Sequence, residues 1–560
     1  MSKRLFRFNG GLKLADFKTG STGQPIVQAP IPPQLILPLQ QHIGEPAEAC
    51  VKPGDTVTRG QEIARARGAI SASIHASSSG VVHAIEKRQV SHPSGLLAPC
   101  VVIDTDGLDR PQQAPVIIGD AYLQQTPDAV RKLVRAGGIV GMGGAGFPTA
   151  VKLKPGPEHG VDLLVLNGAE CEPYISCDDM LMRERAPAII AGARVMMHAL
   201  GARHAVIAVE DNKPQSMQIM AQAIRDSGAE NIELRGIPAI YPAGGEKQLI
   251  KVLTGIEIPA QALPINAGIV CHNVATAEAV YRVIYQGEGA VSRVVTLTGN
   301  VSQELNLDVR YGTPVEFLLR TYGIDPALVA AITIGGPMMG YSLHAIDAPV
   351  SKTTNCIIVK QQGAALPFSN HGGTRPCIRC GNCADVCPVN LLPQQLYWHA
   401  QSRDFDKVQD FHLFDCIECG CCDYVCPSHL PLVQYYRFAK TEIWAQEREK
   451  EKSDLARQRH EFRQFRLERE KAERAARHKQ KAAALQAPSA EEAELAKKKA
   501  AIAAALERVK ARKAQADTKP RNVDNLSPQQ RQLIEEVDAR RKQNRQQQKP
   551  GPEQKNSDTE

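Results

Sequence analysis

The chain has 560 residues, of which 23% are charged, and its formal net charge at pH 7 is +7. A chain of this length exceeds what one hydrophobic core supports, so we expect several domains. The positive charge lies in the C-terminal part, because residues 441–560 hold 29 Lys and Arg against 21 Asp and Glu. The preceding 440 residues therefore carry a net charge of −1, and we expect no nucleic-acid partner.

Cysteine usage and apolar runs predict the compartment. Fifteen cysteines, without a signal peptide's apolar core in the first residues, indicate a reducing cytoplasm. The longest uncharged apolar stretch, residues 327–343, is interrupted by Gly335-Gly336-Pro337. We interpret it as a buried strand and loop, and we expect no transmembrane helix.

Residues 1–115 are predicted to form a small barrel-sandwich domain. Short strands alternate with turn signals such as Pro53-Gly54-Asp55 and Ser79-Gly80. The pattern resembles biotinyl and lipoyl carrier domains, which present a lysine on a central hairpin. At that hairpin this chain has Gly68-Ala69-Ile70-Ser71-Ala72-Ser73, without a lysine. We therefore predict a packing module that carries no prosthetic group.

Residues 116–290 are predicted to form an α/β domain. Residues 163–166 and 205–209 are short apolar runs typical of buried strands, and residues 214–227 and 275–285 have helical patterns. A smaller unit with strands and helices follows at residues 291–362, opening with an apolar strand from Val294.

A glycine-rich loop precedes the first of these strands. Glycines at Gly141, Gly143, Gly144 and Gly146 let the backbone approach a planar or phosphorylated ligand closely. The loop lacks the strict Rossmann spacing after a clear strand, and a glycine-rich loop alone does not specify a nucleotide site.

The wider context of this loop resembles the NADH-oxidising subunit of respiratory complex I. The stretch Gly-Met-Gly-Gly-Ala-Gly-Phe-Pro-Thr-Ala-Val-Lys ending at Lys152 is similar to that family's flavin loop, G-x-G-G-A-G-F-P-T-G-x-K. Three further segments agree in order: Asn167-Gly168-Ala169-Glu170, Tyr241-Pro242-Ala243-Gly244-Gly245-Glu246 and Asn273-Val274-Ala275-Thr276. The phrase from Thr296 resembles the ubiquitin-like (SLBB) unit that follows the flavin fold in that family.

The resemblance implies an FMN site and a nicotinamide side. FMN would lie on the loop from Gly141 to Gly146, and Phe147 and Glu246 would line the nicotinamide side. The chain has Ala169 and Gly245 where the family has acidic residues, which leaves the flavin and NADH contacts at those positions open. The remaining residues implied around FMN are Lys152, Asn167, Glu170, Asn273 and Thr276.

Residues 363–440 carry two copies of the motif C-x2-C-x2-C-x3-C-P, the ligand pattern of a bacterial-type pair of [4Fe–4S] clusters. Three cysteines of one copy bind one cluster, and the fourth binds the other cluster. Zinc is the alternative, but zinc sites usually use two C-x2-C pairs. Helical patterns at residues 393–400 and 431–444 favour a helical dicluster module. We assign Cys377, Cys380, Cys383 and Cys426 to one cluster, and Cys416, Cys419, Cys422 and Cys387 to the other.

Residues 441–560 form a tail rich in Ala, Glu, Lys, Arg and Gln. Such a composition favours helix but cannot bury enough apolar surface to fold alone. We predict a long solvated helix that ends in a disordered stretch. The alternative is contact between its basic residues and anionic lipid.

The order of domains is similar to that of the C subunits of Rnf (also called Rsx) ion-translocating oxidoreductases. The resemblance covers about residues 1–440 and implies a peripheral subunit on the cytoplasmic side of the bacterial inner membrane. Implied partners are NADH, a ferredoxin-type carrier and the membrane subunits, among them B, D and G. The implied function is electron exchange between NAD(H) and a low-potential carrier, coupled to ion translocation.

Two alternatives remain open. One is a soluble flavin and iron–sulfur dehydrogenase subunit of the hydrogenase type. The other is a non-enzymatic electron relay that has lost NAD binding, which the departures at Ala169 and Gly245 would permit.

Overall fold

The computed structural model describes residues 4–112, 118–154, 160–366, 373–485, 493–514 and 527–547. The chain divides into two compact units, Met1–Glu449 and Lys450–Glu560. In the described residues, the first unit contains four β-sheets and the cysteine motifs, and the second is helical.

The N-terminal region forms two small sheets, with strand orders β2-β8-β7-β4 and β3-β5-β6. Strands β5 and β6 are antiparallel and flank the hairpin at which a carrier domain would present its lysine. Strand β1 lies apart from both sheets and pairs in parallel with the later strand at residues 305–310. The strands are β1 (Val27–Gln28), β2 (Gln34–Pro38), β3 (Glu48–Ala49), β4 (Thr56–Val57), β5 (Glu62–Arg65), β6 (Ile74–His75), β7 (Gly80–Gln89) and β8 (Leu97–Thr105).

The predicted α/β domain contains a four-stranded parallel sheet of order β11-β10-β9-β12. Helices cover both faces, since alternate residues of β9 pack against opposite sides: Leu164 toward the helices α3, α4 and α7, and Leu163 toward α6. The elements are α1 (Pro127–Ala136), α2 (Thr149–Lys152), β9 (Leu163–Gly168), α3 (Cys177–Glu184), α4 (Ala186–Leu200), β10 (His204–Glu210), α5 (Pro214–Ser227), β11 (Ile232–Ile237), α6 (Glu246–Thr254), β12 (Ile269–Asn273) and α7 (Val274–Tyr281).

A six-stranded mixed sheet of order β1-β14-β13-β17-β15-β16 follows. Its identification as an SLBB unit stays a prediction. The expectation of a buried strand within residues 327–343 is only partly correct, because Ile332 and Ile334 are buried in β15 while Ala330 and Ala331 are exposed. The elements are β13 (Ser292–Gly299), β14 (Leu305–Arg310), α8 (Val315–Thr321), β15 (Val329–Ile334), β16 (Tyr341–Ser342) and β17 (Cys356–Gln361).

The cysteine module is helical, as predicted. Each motif contains a short helix whose preceding glycine, Gly381 or Gly420, has a positive φ. Apolar side chains of the longer helices, including Leu396 and Tyr436, pack in one core with the cysteines. The helices are α9 (Asn382–Asp385), α10 (Pro393–Gln401), α11 (Phe405–Asp410), α12 (Cys421–Tyr424) and α13 (Leu432–Leu485).

The described part of the tail is helical. The predicted long helix corresponds to α13, and α14 (Ala493–Ala514) and α15 (Pro528–Gln547) follow it. Residues 486–492, 515–526 and 548–560 lie outside the described residues, and the disordered stretch at the end of the tail stays a prediction. Within the described ranges, every helix is too short or too polar to cross a membrane.

Candidate functional site

The sheet of the α/β domain has a topological switch point between β9 and β12. The chain proceeds from β9 to β10 and β11 on one side, then returns to place β12 on the other side of β9. Asn167 and Asn273 are register partners near the carboxyl ends of these two strands. Ligands of open α/β sheets bind outside the carboxyl ends of the strands at such a point.

Both asparagines at the switch point have defined hydrogen bonds. Asn273 caps α7, since its Oδ1 accepts from the Ala275 amide at 2.8 Å, and its Nδ2 donates to Asp178 Oδ2 at 2.6 Å. Asn167 Nδ2 donates to the Gly244 carbonyl oxygen at 2.8 Å. These bonds hold the two side chains next to each other at the sheet edge.

The glycine loop is anchored directly above this edge. The Met142 amide donates to Thr276 Oγ1 at 3.0 Å, and a Cβ added at Gly143 would lie 3.4 Å from Asn273 Cβ. The Gly141 amide donates to the Phe147 carbonyl oxygen at 2.8 Å, and the Gly146 amide donates back to the Gly141 carbonyl oxygen at 3.2 Å. Thus the structure brings the predicted loop together with Asn167, Asn273 and Thr276.

The tip of the loop is open. Gly144 has a φ of +117° and is exposed, and a Cβ placed there would meet no other atom within 4 Å. A side chain would enter the space above the loop, and L residues rarely adopt this backbone conformation. This arrangement fits a flat or phosphorylated ligand that approaches the backbone closely.

Lys152 and Glu246 form an ion pair of 2.7 Å at the ends of two helices. Each side chain is about one-third exposed, so the pair borders solvent. Phe147 is half-buried at the end of the glycine loop. The nearby His272 is buried, and burial with the positive charge of Lys152 lowers its pKa well below the usual value.

Glu170 lies in a different setting from the other predicted residues. Its buried carboxylate accepts from the Asp178 amide at 2.8 Å in the first turn of α3, and burial raises its pKa to about 7. The carboxylate therefore stabilises the N-terminal end of a helix that also positions Asp178, the partner of Asn273.

Sequence reasoning missed two buried basic residues that support the glycine loop from the following unit. Arg293 donates to the Met142 carbonyl oxygen at 3.1 Å, and Lys352 Nζ donates to the carbonyl oxygens of Ser73 and Gly138 at 2.7 Å. A charged residue inside the apolar strand 292–299 is the available signal for Arg293. Lys352 has no comparable signal, since its partners are backbone atoms of distant segments.

Cysteines of both motifs lie together at one place in the fold. One cavity is lined by Cys387 of the first motif together with Cys416, Cys419, Cys421 and Cys422 of the second. All fifteen cysteines of the chain are free thiols, so this cavity offers the donor set of a thiolate-bound cluster.

The remaining predicted ligands lie on two backbone segments held together by hydrogen bonds. Ser428 Oγ donates to the Pro376 carbonyl oxygen at 2.8 Å, and the Arg375 amide donates to the Ser428 carbonyl oxygen at 2.9 Å. These bonds place the segment before Cys377 beside the segment after Cys426.

Tyr241 connects the α/β domain to the second motif. Its buried hydroxyl donates to the Cys419 carbonyl oxygen at 2.6 Å. Three residues later, the Gly244 carbonyl oxygen accepts from Asn167 at the switch point. A four-residue segment therefore touches both the candidate ligand edge of the sheet and the lining of the cysteine cavity.

Glu172 connects the region where Tyr241 contacts Cys419 to Met338 and Met339, which lie between strands β15 and β16 of the six-stranded sheet. Its carboxylate accepts from the Met338 and Met339 amides at 3.1 and 2.8 Å. Burial raises the pKa of Glu172 to about 7, and the hydrogen bonds from these amides oppose that rise.

Three family models match parts of the chain. Residues 134–282 match the Nuo51 FMN-binding domain, residues 6–108 match the RnfC barrel sandwich hybrid domain, and residues 376–430 match the 4Fe-4S dicluster domain. Together they cover the barrel-sandwich region, the glycine loop with the parallel sheet, and both cysteine motifs.

Three curated relatives, each named as the C subunit of an ion-translocating oxidoreductase complex, are 44% identical to this chain. The Salmonella gallinarum protein aligns over 97% of this chain and 78% of its own length. The Serratia proteamaculans protein aligns over 91% of this chain and 70% of its own length. The Erwinia tasmaniensis protein aligns over 93% of this chain and 63% of its own length. The chain thus spans less than two thirds of the length of the Erwinia relative.

Two solved structures of an NAD+-reducing [NiFe]-hydrogenase, H2-reduced and air-oxidised, also align with the chain. The identities are 18% and 20%, the TM-score is 0.40 for both, and the alignments cover 54% and 52% of this chain and 61% and 57% of those chains. A similarity this distant carries no functional argument.

The family predicted from the motifs is confirmed by the relatives, and the predicted FMN and iron–sulfur domains are confirmed by the family models. The chain therefore belongs to the family formed by the C subunits of ion-translocating oxidoreductase complexes, and it contains an FMN-binding domain and a 4Fe-4S dicluster domain.

Proposed function

We propose that this chain is the electron-input subunit of a membrane-bound complex that exchanges electrons between NAD(H) and ferredoxin or another low-potential carrier, coupled to ion translocation. The observation that carries the proposal is the segment from Tyr241 to Gly244. It joins the switch point, through Asn167, to the second cysteine motif, through Cys419. A flavin site and a cluster site joined by so short a segment suit the transfer of electrons between them.

FMN would be held by the glycine loop and the sheet edge. The backbone of Gly141, Gly143, Gly144 and Gly146 would lie against the cofactor, with Asn167, Asn273 and Thr276 fixing the loop on the sheet. The Lys152–Glu246 pair and Phe147 would border the side from which NAD(H) enters. Glu170 would not contact NAD(H) but would hold the N-terminal end of α3 in place. When bound, FMN supplies the exchange between two-electron and one-electron transfer, and [4Fe–4S] clusters supply one-electron transfer.

The eight motif cysteines would bind the two clusters in the crossed arrangement. Cys416, Cys419, Cys422 and Cys387 would hold the cluster next to the α/β domain. Cys377, Cys380, Cys383 and Cys426 would hold the other. The proposal includes binding to the membrane subunits of an Rnf complex, among them B, D and G, by a peripheral subunit on the cytoplasmic side of the inner membrane.

Anaerobic titration with NADH tests this function. We expect purified protein with both cofactor types to show loss of flavin absorbance and of cluster absorbance on addition of NADH. Dithionite provides the control, because it reduces the clusters without using a nicotinamide site. Reduction by dithionite but not by NADH would contradict the proposal and support the relay without NAD binding.

The soluble, hydrogenase-type alternative predicts a different distribution after cell breakage. The proposed complex should sediment with membranes at low salt, and this chain should be released by washing without detergent. A complex recovered entirely in the soluble fraction at low salt would favour the alternative.

A further inference from the structure

The two cysteine motifs are repeats in sequence but have different surroundings. Ile378 of the first motif is 68% exposed, whereas the equivalent Ile417 packs in an apolar cluster with Tyr241. Likewise, Cys380 is exposed, whereas the equivalent Cys419 is 7% exposed. The first residues of the second motif therefore face the α/β domain, and the first residues of the first motif face outward, while Val386 near its end packs in the same apolar cluster as Tyr241.

The charged residues at the equivalent position of the two motifs also differ: the one in the second motif is held by ion pairs, and the one in the first is exposed. Glu418 is held by Arg437 at 2.9 Å and Lys440 at 2.8 Å. The equivalent Arg379 is exposed, and its guanidinium makes no ion pair within the described ranges. Both backbone amides make the same contact to a motif cysteine, 3.4 Å to the Sγ of Cys377 or Cys416, so the difference lies in the side chains.

The glycines that precede the two motif helices also differ in the space around them. A Cβ added at Gly420 would lie 2.7 Å from the Met338 carbonyl oxygen, while a Cβ at Gly381 would meet nothing within 4 Å. Their φ angles are alike, +77° and +85°. The backbone of the second motif is therefore covered, and that of the first is open at the corresponding point.

We propose that residues 375–380, here named the first-motif loop, are the docking surface for an acidic electron-carrier protein, which exchanges single electrons with the cluster bound beside it. This inference rests on the proposed function. It adds where electrons pass between this chain and its partner, and what kind of partner that is. The exposed Ile378 supplies an apolar contact at the centre of the loop. Arg375 and Arg379 supply positive charge on either side of it.

The charged side chains of the first-motif loop favour an acidic partner over a basic one. The first motif and its leading segment, residues 373–388, contain Arg375 and Arg379 against the single acid Asp385. Opposite charges at the rim of an interface accelerate encounter and lose this effect at high salt. The transfer itself is balanced by one electron leaving the reduced chain and reducing the acceptor, with no bond made or broken.

Binding to two haem proteins of opposite charge tests the surface without using NADH or turnover. The probes are the soluble acidic domain of cytochrome b5 and basic cytochrome c. We expect Arg379→Glu and Ile378→Glu to weaken binding of cytochrome b5 about tenfold at low ionic strength. Arg379→Glu should strengthen binding of cytochrome c. Lys87→Glu, at an exposed position on β7, is the matched charge-reversal control and should have little effect on either.

Hydrogen exchange locates the contact independently. Added cytochrome b5 should slow amide exchange in residues 375–380 and leave residues 416–420 unchanged. Protection elsewhere, or equal weakening of binding by Lys87→Glu and Arg379→Glu, would overturn the proposal. Equal iron content of all variants is required, so that a misfolded motif is not read as a lost surface.

Electron transfer is measured with protein reduced by dithionite and then desalted. On mixing with ferric cytochrome b5, one electron passes to the haem, which becomes ferrous. The second-order rate constant should fall about tenfold in Arg379→Glu and rise for cytochrome c. Unchanged rates for both acceptors would overturn the proposal. A failed NADH titration would instead contradict the proposed function, since this experiment bypasses the nicotinamide and flavin sites.

Discussion

At the scale of single residues, the glycine loop depends on the absence of a side chain at one position. Gly144 combines a φ of +117° with empty space where its Cβ would lie. The substitution Gly144→Ala should therefore raise the Kd for FMN about tenfold or more, which corresponds to ~1.4 kcal/mol. Flavin retained after gel filtration and a titration of flavin-free protein with FMN measure this effect.

Gly54 offers a matched control for that substitution. It has a φ of +92°, no atom within 4 Å of an added Cβ, and a position in the barrel-sandwich region. Gly54→Ala should impose similar backbone strain but leave FMN affinity unchanged. Equal loss of FMN in both variants would show that strain, and not the loop surface, causes the effect.

Cys387 distinguishes crossed ligation from two self-contained motifs. It lines the same cavity as Cys416, Cys419 and Cys422 although it belongs to the first motif. We expect Cys387→Ser to lower iron from about eight to about four per chain, because one four-iron cluster loses a ligand. Cys421 lines the same cavity but is not assigned as a ligand, so Cys421→Ser should keep its iron. Equal loss of iron in both variants would contradict the assignment.

Glu172 should make stability depend on pH. Burial raises its pKa in the folded protein to about 7, above the ordinary glutamate value of 4.5. The folded protein therefore keeps a proton that the unfolded chain has lost, and stability falls as pH rises from about 4.5 to about 7. Glu172→Gln removes this titration; its single side-chain oxygen can accept from one of the Met338 and Met339 amides, which lowers stability by an amount that does not depend on pH.

The comparison is between thermal unfolding of the wild type and of Glu172→Gln under anaerobic conditions. Between about pH 5.5 and about pH 8 the wild type should lose on the order of 1 kcal/mol relative to the variant, after allowing for screening at a partly exposed group. Parallel pH profiles of the two proteins would show that Glu172 does not titrate in this range.

At the scale of elements, the two copies of the motif allow the same substitution to be compared at equivalent glycines. Gly381 and Gly420 have similar φ angles and precede equivalent helices, but only the Cβ at Gly420 would collide with a neighbouring carbonyl oxygen, that of Met338. Alanine at either position costs about 1–2 kcal/mol in backbone strain. Gly420→Ala should cost about 1–3 kcal/mol more, because Met338 or the motif must move.

Anaerobic unfolding and limited proteolysis measure the difference between the two alanine variants. We expect faster proteolytic cleavage near the contact between the second motif and Met338 in Gly420→Ala but not in Gly381→Ala. Identical unfolding curves would mean that the second motif is not packed firmly against Met338.

At the scale of the whole molecule, the body and the tail separate in both charge and compactness. Residues up to Glu449 form one compact unit, and the basic excess lies beyond residue 440. A chain that ends at Glu449 should therefore keep its iron, its flavin and the unfolding temperature of the body within about 2 °C, since the body is a compact unit by itself. Loss of either cofactor on truncation would show that the tail stabilises the body.

The local chemistry of the sequence was enough to predict the two cluster motifs, the glycine loop, the buried strands of the α/β domain and the family. These features depend on ligand spacing, on backbone freedom at glycine, and on apolar runs that must be buried. Cysteine positions in particular indicate the kind of cluster before any fold is known, because three ligands of one site lie within seven residues.

How these parts are joined depends on the packing of segments that are far apart in the chain. Tyr241 bonds to Cys419 across 178 residues, Arg293 supports the glycine loop across 151, and β1 joins a sheet whose other strands begin at residue 292. The outward direction of the first motif and the inward direction of the second also follow from packing, since the two motifs are nearly identical in pattern. Such contacts depend on which surfaces meet in the folded chain, and neither local propensity nor motif spacing specifies that meeting.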